Sequence, residues 1–113
     1  MAREIIVPWD TTRQGRLLHE LIQRQGLAPG AYALFSVESE GELHAGDPGW
    51  DDLEEESGYV MDKTGTVHAF WLSWDDERDG PALTEWEEIT PEPEWRDDPE
   101  YQGARYAVGL PAA

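Results

Sequence analysis

The sequence predicts an α+β fold, in which an antiparallel sheet of about four or five strands carries an N-terminal amphipathic helix and a short C-terminal helix. Three observations support this prediction. Apolar residues recur at helical spacing near the N-terminus, short apolar runs between turn residues fill the middle, and a proline opens a helical pattern near the C-terminus. The length of 113 residues is typical of one domain, so we expect a single domain over residues 1–113.

A short strand and the amphipathic helix are expected first. Residues 3–7, REIIV, form a β-branched run that Pro8 ends. Residues 10–26 then place large aliphatic side chains on one helical stripe, and Gly26 offers a C-cap. The stripe consists of Leu17, Leu18, Leu21 and Ile22.

One strand and an acidic loop region follow this helix. Residues 31–38, AYALFSVE, carry closely spaced large apolar side chains and indicate a strand with substantial burial. Residues 39–58 are dominated by Gly, Pro, Asp and Glu. We therefore expect a loop there, with at most a short return strand over residues 42–45.

The clearest hairpin lies in residues 58–75, GYVMDKTGTVHAFWLSWD. Residues 62–65, DKTG, fit a type I turn followed by a glycine in the left-handed conformation, as in a bulged hairpin. The second arm, residues 66–74, is largely apolar on both faces, which indicates a central strand covered on both sides. The N-terminal helix is expected on one side, and either the C-terminal segment or a partner on the other.

The last third of the chain predicts an edge strand and a helix. Residues 81–90, PALTEWEEIT, mix charged and apolar side chains as edge strands do. Residues 91–95, PEPEW, should be extended because proline cannot continue a strand ladder. Asp98 and Pro99 then fit the N-cap and first position of a helix that Gly109 ends.

Charge is the strongest compositional signal. The chain has 25 acidic and 8 basic residues, for a net charge of −17. Residues 1–37 hold four bases and three acids, whereas residues 38–113 hold four bases and 22 acids. Such a surface repels nucleic acid and anionic membranes and attracts basic proteins or cations. An equally weighted alternative is a compositional background, because seven arginines against one lysine suit a GC-rich or salt-adapted proteome.

Several classes of protein are disfavoured. The chain has no cysteine, which excludes disulfides and thiolate metal sites. No apolar run approaches the roughly 20 residues that span a bilayer, and the N-terminus lacks the basic start and apolar middle of a signal peptide. A cytoplasmic protein that does not contact a membrane is therefore expected.

Catalytic signatures are missing from the sequence. It has no G-x-S-x-G motif, no glycine loop of the phosphate-binding kind and no basic stripe for nucleic acid. Carboxylate pairs carry no information in a chain with this many acids, since a general acid also needs a raised pKa. We therefore expect a protein that is not an enzyme and uses no cofactor.

One stretch has the spacing of a cation-binding loop. Asp75, Glu77, Asp79 and Gly80 follow the first half of a D-x-D-x-D-G calcium loop, in which alternating acids supply oxygen ligands. The second half does not fit, because Trp86 occupies the twelfth position and Glu85 comes one place early. The weak metal candidates are Asp75, Glu77, Asp79 and Glu85, and a solvated hairpin turn is the favoured alternative.

Six tryptophans in so short a chain suggest an interface, although most are expected to fill the core. Trp50 and Trp95 are the best candidates for exposure, because their neighbours are charged and loop-forming. An acidic rim around such anchors suits an arginine-rich partner. The candidate partner-binding residues are Trp50, Asp51, Asp52, Glu54, Glu55, Glu56 and Trp95.

The sequence thus predicts a small acidic protein-binding module that engages a basic partner. An inhibitor, an antitoxin or immunity-type protein and a nucleic-acid mimic all fit this description; direct binding to nucleic acid does not. One alternative is a small-ligand or metal-binding domain with an aromatic pocket beside the sheet. The other is a protein whose acidity has no special role. The sequence leaves the oligomeric state open.

Overall fold

The chain forms a four-stranded antiparallel meander with one helix on each side of the sheet. The structure is a computed structural model that describes residues 13–43 and 53–112. The elements in chain order are α1 (Arg13–Gln23), β1 (Tyr32–Glu42), β2 (Glu54–Asp62), β3 (Val67–Asp75), β4 (Gly80–Ile89), a 3₁₀ helix (Pro93–Asp97) and α2 (Pro99–Ala107). The strands lie in the order β1-β2-β3-β4. The predicted α+β fold is confirmed, while the strand predicted over residues 3–7 lies outside the described residues.

Burial of the apolar stripe explains why α1 forms here. Leu18, Leu21 and Ile22 are buried and belong to one core cluster with Phe70 of β3. Packing of this kind supplies most of the stability of a helix of 11 residues. Past the helix, Gly26 has a φ of 102°, the left-handed conformation that its predicted capping role requires.

The two central strands present apolar side chains to both helices. Val60 and Phe70 lie in the cluster that α1 covers, whereas Met61 and Val67 lie in a second cluster with α2. β3 is therefore the central strand that the sequence predicts, but its second face is covered only in part. On the second face the C-terminal helix provides cover at the Val67 end of the strand.

The β2–β3 turn has the bulged geometry that the sequence predicts. Gly65 has a φ of 87°, and its amide donates to the carbonyl oxygen of Asp62 at 3.0 Å. The Asp62 side chain caps the turn, since its Oδ1 accepts from the amides of Thr64 at 2.9 Å and Thr66 at 3.1 Å. One acid therefore fixes the register of the central pair.

The loop predicted over residues 39–58 is wrong at both ends, which are strand, and residues 44–52 lie outside the described residues. β1 continues to Glu42 and β2 begins at Glu54, and their ends pair with each other. Two register shifts in β1, one between Phe35 and Glu38 and one between Ser39 and Gly41, keep this acidic stretch in the ladder. Backbone pairing needs no apolar side chain, so composition alone wrongly indicated a loop.

The C-terminal segment covers part of the second face of the sheet. The extended conformation predicted over residues 91–95 is wrong for its last residues, because Pro93 opens a 3₁₀ helix. α2 begins as predicted, with Oδ1 of Asp98 accepting from the Glu100 amide at 2.9 Å. The side chains of α2 that face the sheet are buried. No helix in the described ranges is long and apolar enough to cross a membrane.

Candidate binding face of the sheet

α2 is too short to cover the whole sheet face on which it lies. A helix of 9 residues extends about 14 Å, whereas a strand of 9 residues extends about 30 Å. Along β3 beyond Val67, the side chains on this face are those of Ala69, Trp71 and Ser73, and all are only half-buried. Within the described residues, this end of the face is left partly open, although Ala82, which stands opposite Ser73, is buried.

The open end contains a depression of about 350 Å³. It forms because small side chains lie beside large ones: Ala69 stands opposite Tyr59, and Trp71 stands opposite Ser57. Since opposed Cβ atoms are about 5 Å apart, this alternation leaves a concave surface. We call it the acidic depression, and its principal lining residues are Ser36, Glu38, Ser57, Tyr59, Ala69, Trp71 and Glu85.

The indole of Trp71 is oriented by a hydrogen bond within this face. Its Nε1 donates to Oε2 of Glu55 at 3.0 Å. The bond limits rotation of the ring and holds one carboxylate beside it. Because the N–H group is already used, the exposed part of the ring offers apolar and π surface to a ligand.

Negative charge surrounds the indole on three strands. The carboxylates are those of Glu38, Glu40, Glu55 and Glu85. Oε1 of Glu40 accepts from the Ser57 hydroxyl at 3.1 Å, which places this carboxylate on the same face. The ion pairs found among the described residues involve other acids, so no described basic side chain neutralises this group. The site can therefore attract a cation-bearing ligand.

The remaining acids do not gather on one surface. Exposed carboxylates occur on both helices, on the 3₁₀ helix, on the β3–β4 hairpin and on both faces of β4. Glu20, Glu88 and Glu100 illustrate the spread. Hydration of the whole molecule therefore explains part of the acidity, and the acidic depression contains only a subset.

The predicted partner-binding residues fall into separate groups. Trp50, Asp51 and Asp52 lie outside the described residues. Alternation along β2 points Glu55 toward the acidic depression, whereas Glu54 and Glu56 lie toward α1, where Glu54 is exposed and Glu56 buried.

Trp95, the last predicted partner-binding residue, packs within an aromatic cluster instead of standing free. Its ring centroid lies 4.9 Å from that of Tyr59 and 5.8 Å from those of Phe35 and Tyr101. The indole is half-buried. Since Tyr59 also lines the acidic depression, Trp95 supports one wall of it from behind.

The four candidate metal ligands are not assembled into a cation site. Oδ1 of Asp75 accepts from the Glu77 amide at 3.0 Å, and its Oδ2 lies 3.5 Å from Nε of Arg78. Glu85 pairs with Trp71, four residues along β3 from Asp75, and Asp79 is an exposed turn residue with a φ of 52°. Among the described residues, no group of three or more His, Asp or Glu side chains is arranged to hold a metal ion.

Glu56 is buried, although its acidic surroundings in the sequence predict a position on the surface. Its side chain is 6% exposed and accepts a hydrogen bond from Nε2 of Gln14 on α1. Burial and the nearby negative charge of Glu54 raise the pKa of its carboxyl to about 7, although the bond from Gln14 acts in the opposite direction.

The fold and this surface together define a small α+β protein with an open, acidic and aromatic sheet face. Comparisons of the chain with protein-family models, with curated proteins and with solved structures gave no match. One sequence signal could have located the site: the nine-residue C-terminal helix cannot cover a strand that presents Ala69, Trp71 and Ser73 on the same side.

Proposed function

We propose that this protein is a non-enzymatic binding module that receives a basic protein partner on the acidic depression. The observation that carries the proposal is the oriented indole of Trp71, set among four carboxylates that no described basic side chain neutralises. A partner that presents an exposed arginine side chain suits both the indole and the carboxylates. The guanidinium stacks on an indole and donates to carboxylates at the same time.

The two features contribute differently to binding. Carboxylates at the rim accelerate association and lose effect as salt is added, because exposed charges are screened beyond the Debye length. The aromatic rings of Trp71 and Tyr59 supply apolar surface that becomes buried when the partner binds. This burial slows dissociation of the complex. A protein surface is therefore a better fit than nucleic acid, which the same carboxylates repel.

Exposure of the rim favours binding over catalysis. Glu38, Glu40 and Glu85 are exposed to water. A general acid needs a carboxyl whose pKa is raised by burial or by a close like charge. Exposed carboxylates are better suited to attracting a positively charged partner than to acting as a general acid. We also propose a cytoplasmic location, which is compatible with a chain that has no cysteine.

Two triple variants with equal charge change test the site. The depression variant carries Glu38→Gln, Glu40→Gln and Glu85→Gln. The distal variant carries Asp76→Asn, Glu77→Gln and Asp97→Asn, which are exposed acids on the hairpin and the 3₁₀ helix. The probe is a synthetic peptide of alternating arginine and serine, with citrulline in place of arginine as the uncharged control, measured by calorimetry at low salt.

We expect the depression variant to bind the arginine peptide about tenfold more weakly than the wild type, a loss of about 1.4 kcal/mol. The distal variant should stay close to the wild type, and Trp71→Leu should also weaken binding. Equal losses in both triple variants would contradict the proposal, because they would indicate attraction by net charge alone. Tight binding of the citrulline peptide would also contradict it.

A small aromatic cation is the second candidate ligand. The volume of about 350 Å³ lies near the lower end of the range for small-molecule pockets, which is about 300 to 1,000 Å³. A ligand present at about a hundredfold its Kd would stabilise the folded state by about 2.7 kcal/mol. A thermal-shift series with benzamidine, and benzamide as its neutral analogue, separates this candidate from a purely protein-directed site.

A further inference from the structure

One carboxyl group is buried where α1 packs on β2. Glu56 is the only charged side chain that is buried among the described residues. It lies on the face of β2 that α1 covers, and its cross-strand neighbour on β3 is Leu72, which is fully buried. A carboxylate in such surroundings loses its hydration, so the site favours the neutral acid unless a cation compensates.

Gln14 links this carboxyl to the start of the strand. Its Oε1 accepts from the Glu54 amide at 2.8 Å, and its Nε2 donates to the Glu54 carbonyl at 3.0 Å and to the Glu56 carboxyl. One side-chain amide in the first turn of α1 therefore holds both the backbone and the buried acid of β2. This contact spans 42 residues of sequence.

Among the described side chains, the charges nearest to Glu56 in the ladder are negative. On β2, Glu54 is negative, and it stands opposite Glu42 of β1, which is also negative. On α1, Arg16 is exposed. On β3, His68 stands opposite Val60, four residues along the strand, and lies 3.7 Å from Asp62.

The remaining charges near the packed elements are farther from this carboxyl in the ladder. His19 and Glu20 belong to a later turn of α1, where His19 bonds to Tyr32 at 2.6 Å. Glu88 of β4 stands opposite His68. The carboxyls of Glu40 and Glu55 bond on the opposite face of the sheet, to Ser57 and Trp71.

We propose that Glu56 acts as a proton-dependent latch beneath α1: the neutral carboxyl stays buried with the helix docked on β2, whereas the ionised carboxylate loosens the helix to regain its hydration, against the hydrogen bond from Gln14. The raised pKa of about 7 agrees with this geometry. Because the folded state holds the proton more tightly than the unfolded state, the latch contributes its full stability below the ordinary pKa of 4.5. That contribution is lost as the pH rises through about 7. The latch does not depend on any partner, so it and the proposed function can fail separately.

Two measurements on the wild-type protein test the latch. Carbon-detected NMR titration should give Glu56 a midpoint well above those of the exposed glutamates. Hydrogen exchange, corrected for intrinsic rates, should show α1 amides losing protection by about tenfold or more between acidic and mildly alkaline pH, since one pKa unit is a tenfold change. Amides of α2 serve as the internal reference and should lose less.

Variants then assign the effect to this contact. Glu56→Gln keeps the shape of the protonated acid and should remove the pH-dependent loss, whereas Glu77→Gln removes one exposed charge of the β3–β4 turn and should keep it. Gln14→Met removes the bond that lowers the pKa, so the midpoint should move to higher pH. An ordinary midpoint for Glu56, or unchanged pH dependence in Glu56→Gln, would overturn the proposal. If that variant does not fold, the wild-type titration decides.

Discussion

Asp62 and Glu56 are two carboxyl groups on one strand whose pKa values are shifted in opposite directions. Burial tends to raise the pKa of both. At Asp62 this tendency is outweighed by hydrogen bonds from Thr64 and Thr66 and by the charge of His68, so its pKa is held below the ordinary value of 3.8. At Glu56 one amide from Gln14 is not enough. The number of hydrogen-bond donors to each carboxyl therefore helps to decide whether its pKa is raised or lowered.

This difference predicts how the turn responds to pH. Asp62→Asn keeps an acceptor but removes the charge, and should lower the free energy of unfolding by about 1 kcal/mol at neutral pH. Because the folded pKa is lowered, the charge stabilises above the unfolded pKa, and the benefit is lost as the pH falls through the folded value. Urea unfolding of both proteins should therefore converge in strong acid. Asp76→Asn, at an exposed acid, is the control.

Residue-level roles differ in how far the sequence can predict them. The cap at Asp62 is predictable, because all its donors lie within four residues. The burial of Glu56 is not, since four other acids precede it between residues 51 and 55 and only the distant Gln14 sets it apart. Tertiary contact alone distinguishes Glu56 from its neighbours.

At the scale of whole elements, the sequence predicted correctly those elements whose stabilising contacts lie nearby in the chain. α2 begins at the predicted cap, and Tyr101, Ala104 and the C-cap residue Val108 are buried. The far half of β1 and the start of β2 pair with each other across a long connection, and their side chains are mostly polar. Composition indicated a loop because the stabilising partner is distant in sequence.

Two glycines allow a matched test of these elements. Gly65 has a φ of 87°, and a Cβ there would lie 3.4 Å from Cδ1 of Leu110. Gly65→Ala should therefore cost about 1 to 2 kcal/mol. Gly103 lies inside α2, and a Cβ there would meet nothing within 4 Å. Gly103→Ala should stabilise the protein by about 0.5 to 1 kcal/mol, because alanine favours helix.

Chemical denaturation of the two alanine variants checks the pair. The same atom is added in each, so opposite signs can come only from backbone conformation and local space. A stabilising Gly65→Ala would mean that the turn does not need its left-handed residue. A destabilising Gly103→Ala would mean that α2 lies closer to its neighbours than the structure indicates.

At the scale of the whole molecule, the acidity combines two contributions. Acids spread over every side suit the compositional interpretation, whereas those beside Trp71 lie where an apolar surface is left open. The sequence predicted the charge and the aromatic content. It could not predict which acids and which indole share a face, because strand pairing and the length of α2 decide that. The candidate site in the described residues therefore lies at Trp71, Trp95 packs in an aromatic cluster, and the prediction for Trp50 remains outside the described residues.

The carboxylates of the acidic depression should lower the free energy of unfolding of the protein, because like charges held together repel one another. We expect the depression variant to raise the free energy of unfolding by about 0.5 kcal/mol, since opposed or neighbouring like charges on a sheet each cost about that much. The distal variant should gain less. Added salt should erase the difference, because the Debye length falls to about 3 Å at about 1 M. A loss of stability in the depression variant would mean that these carboxylates serve the fold, and a gain that persists in salt would mean that the effect is not electrostatic.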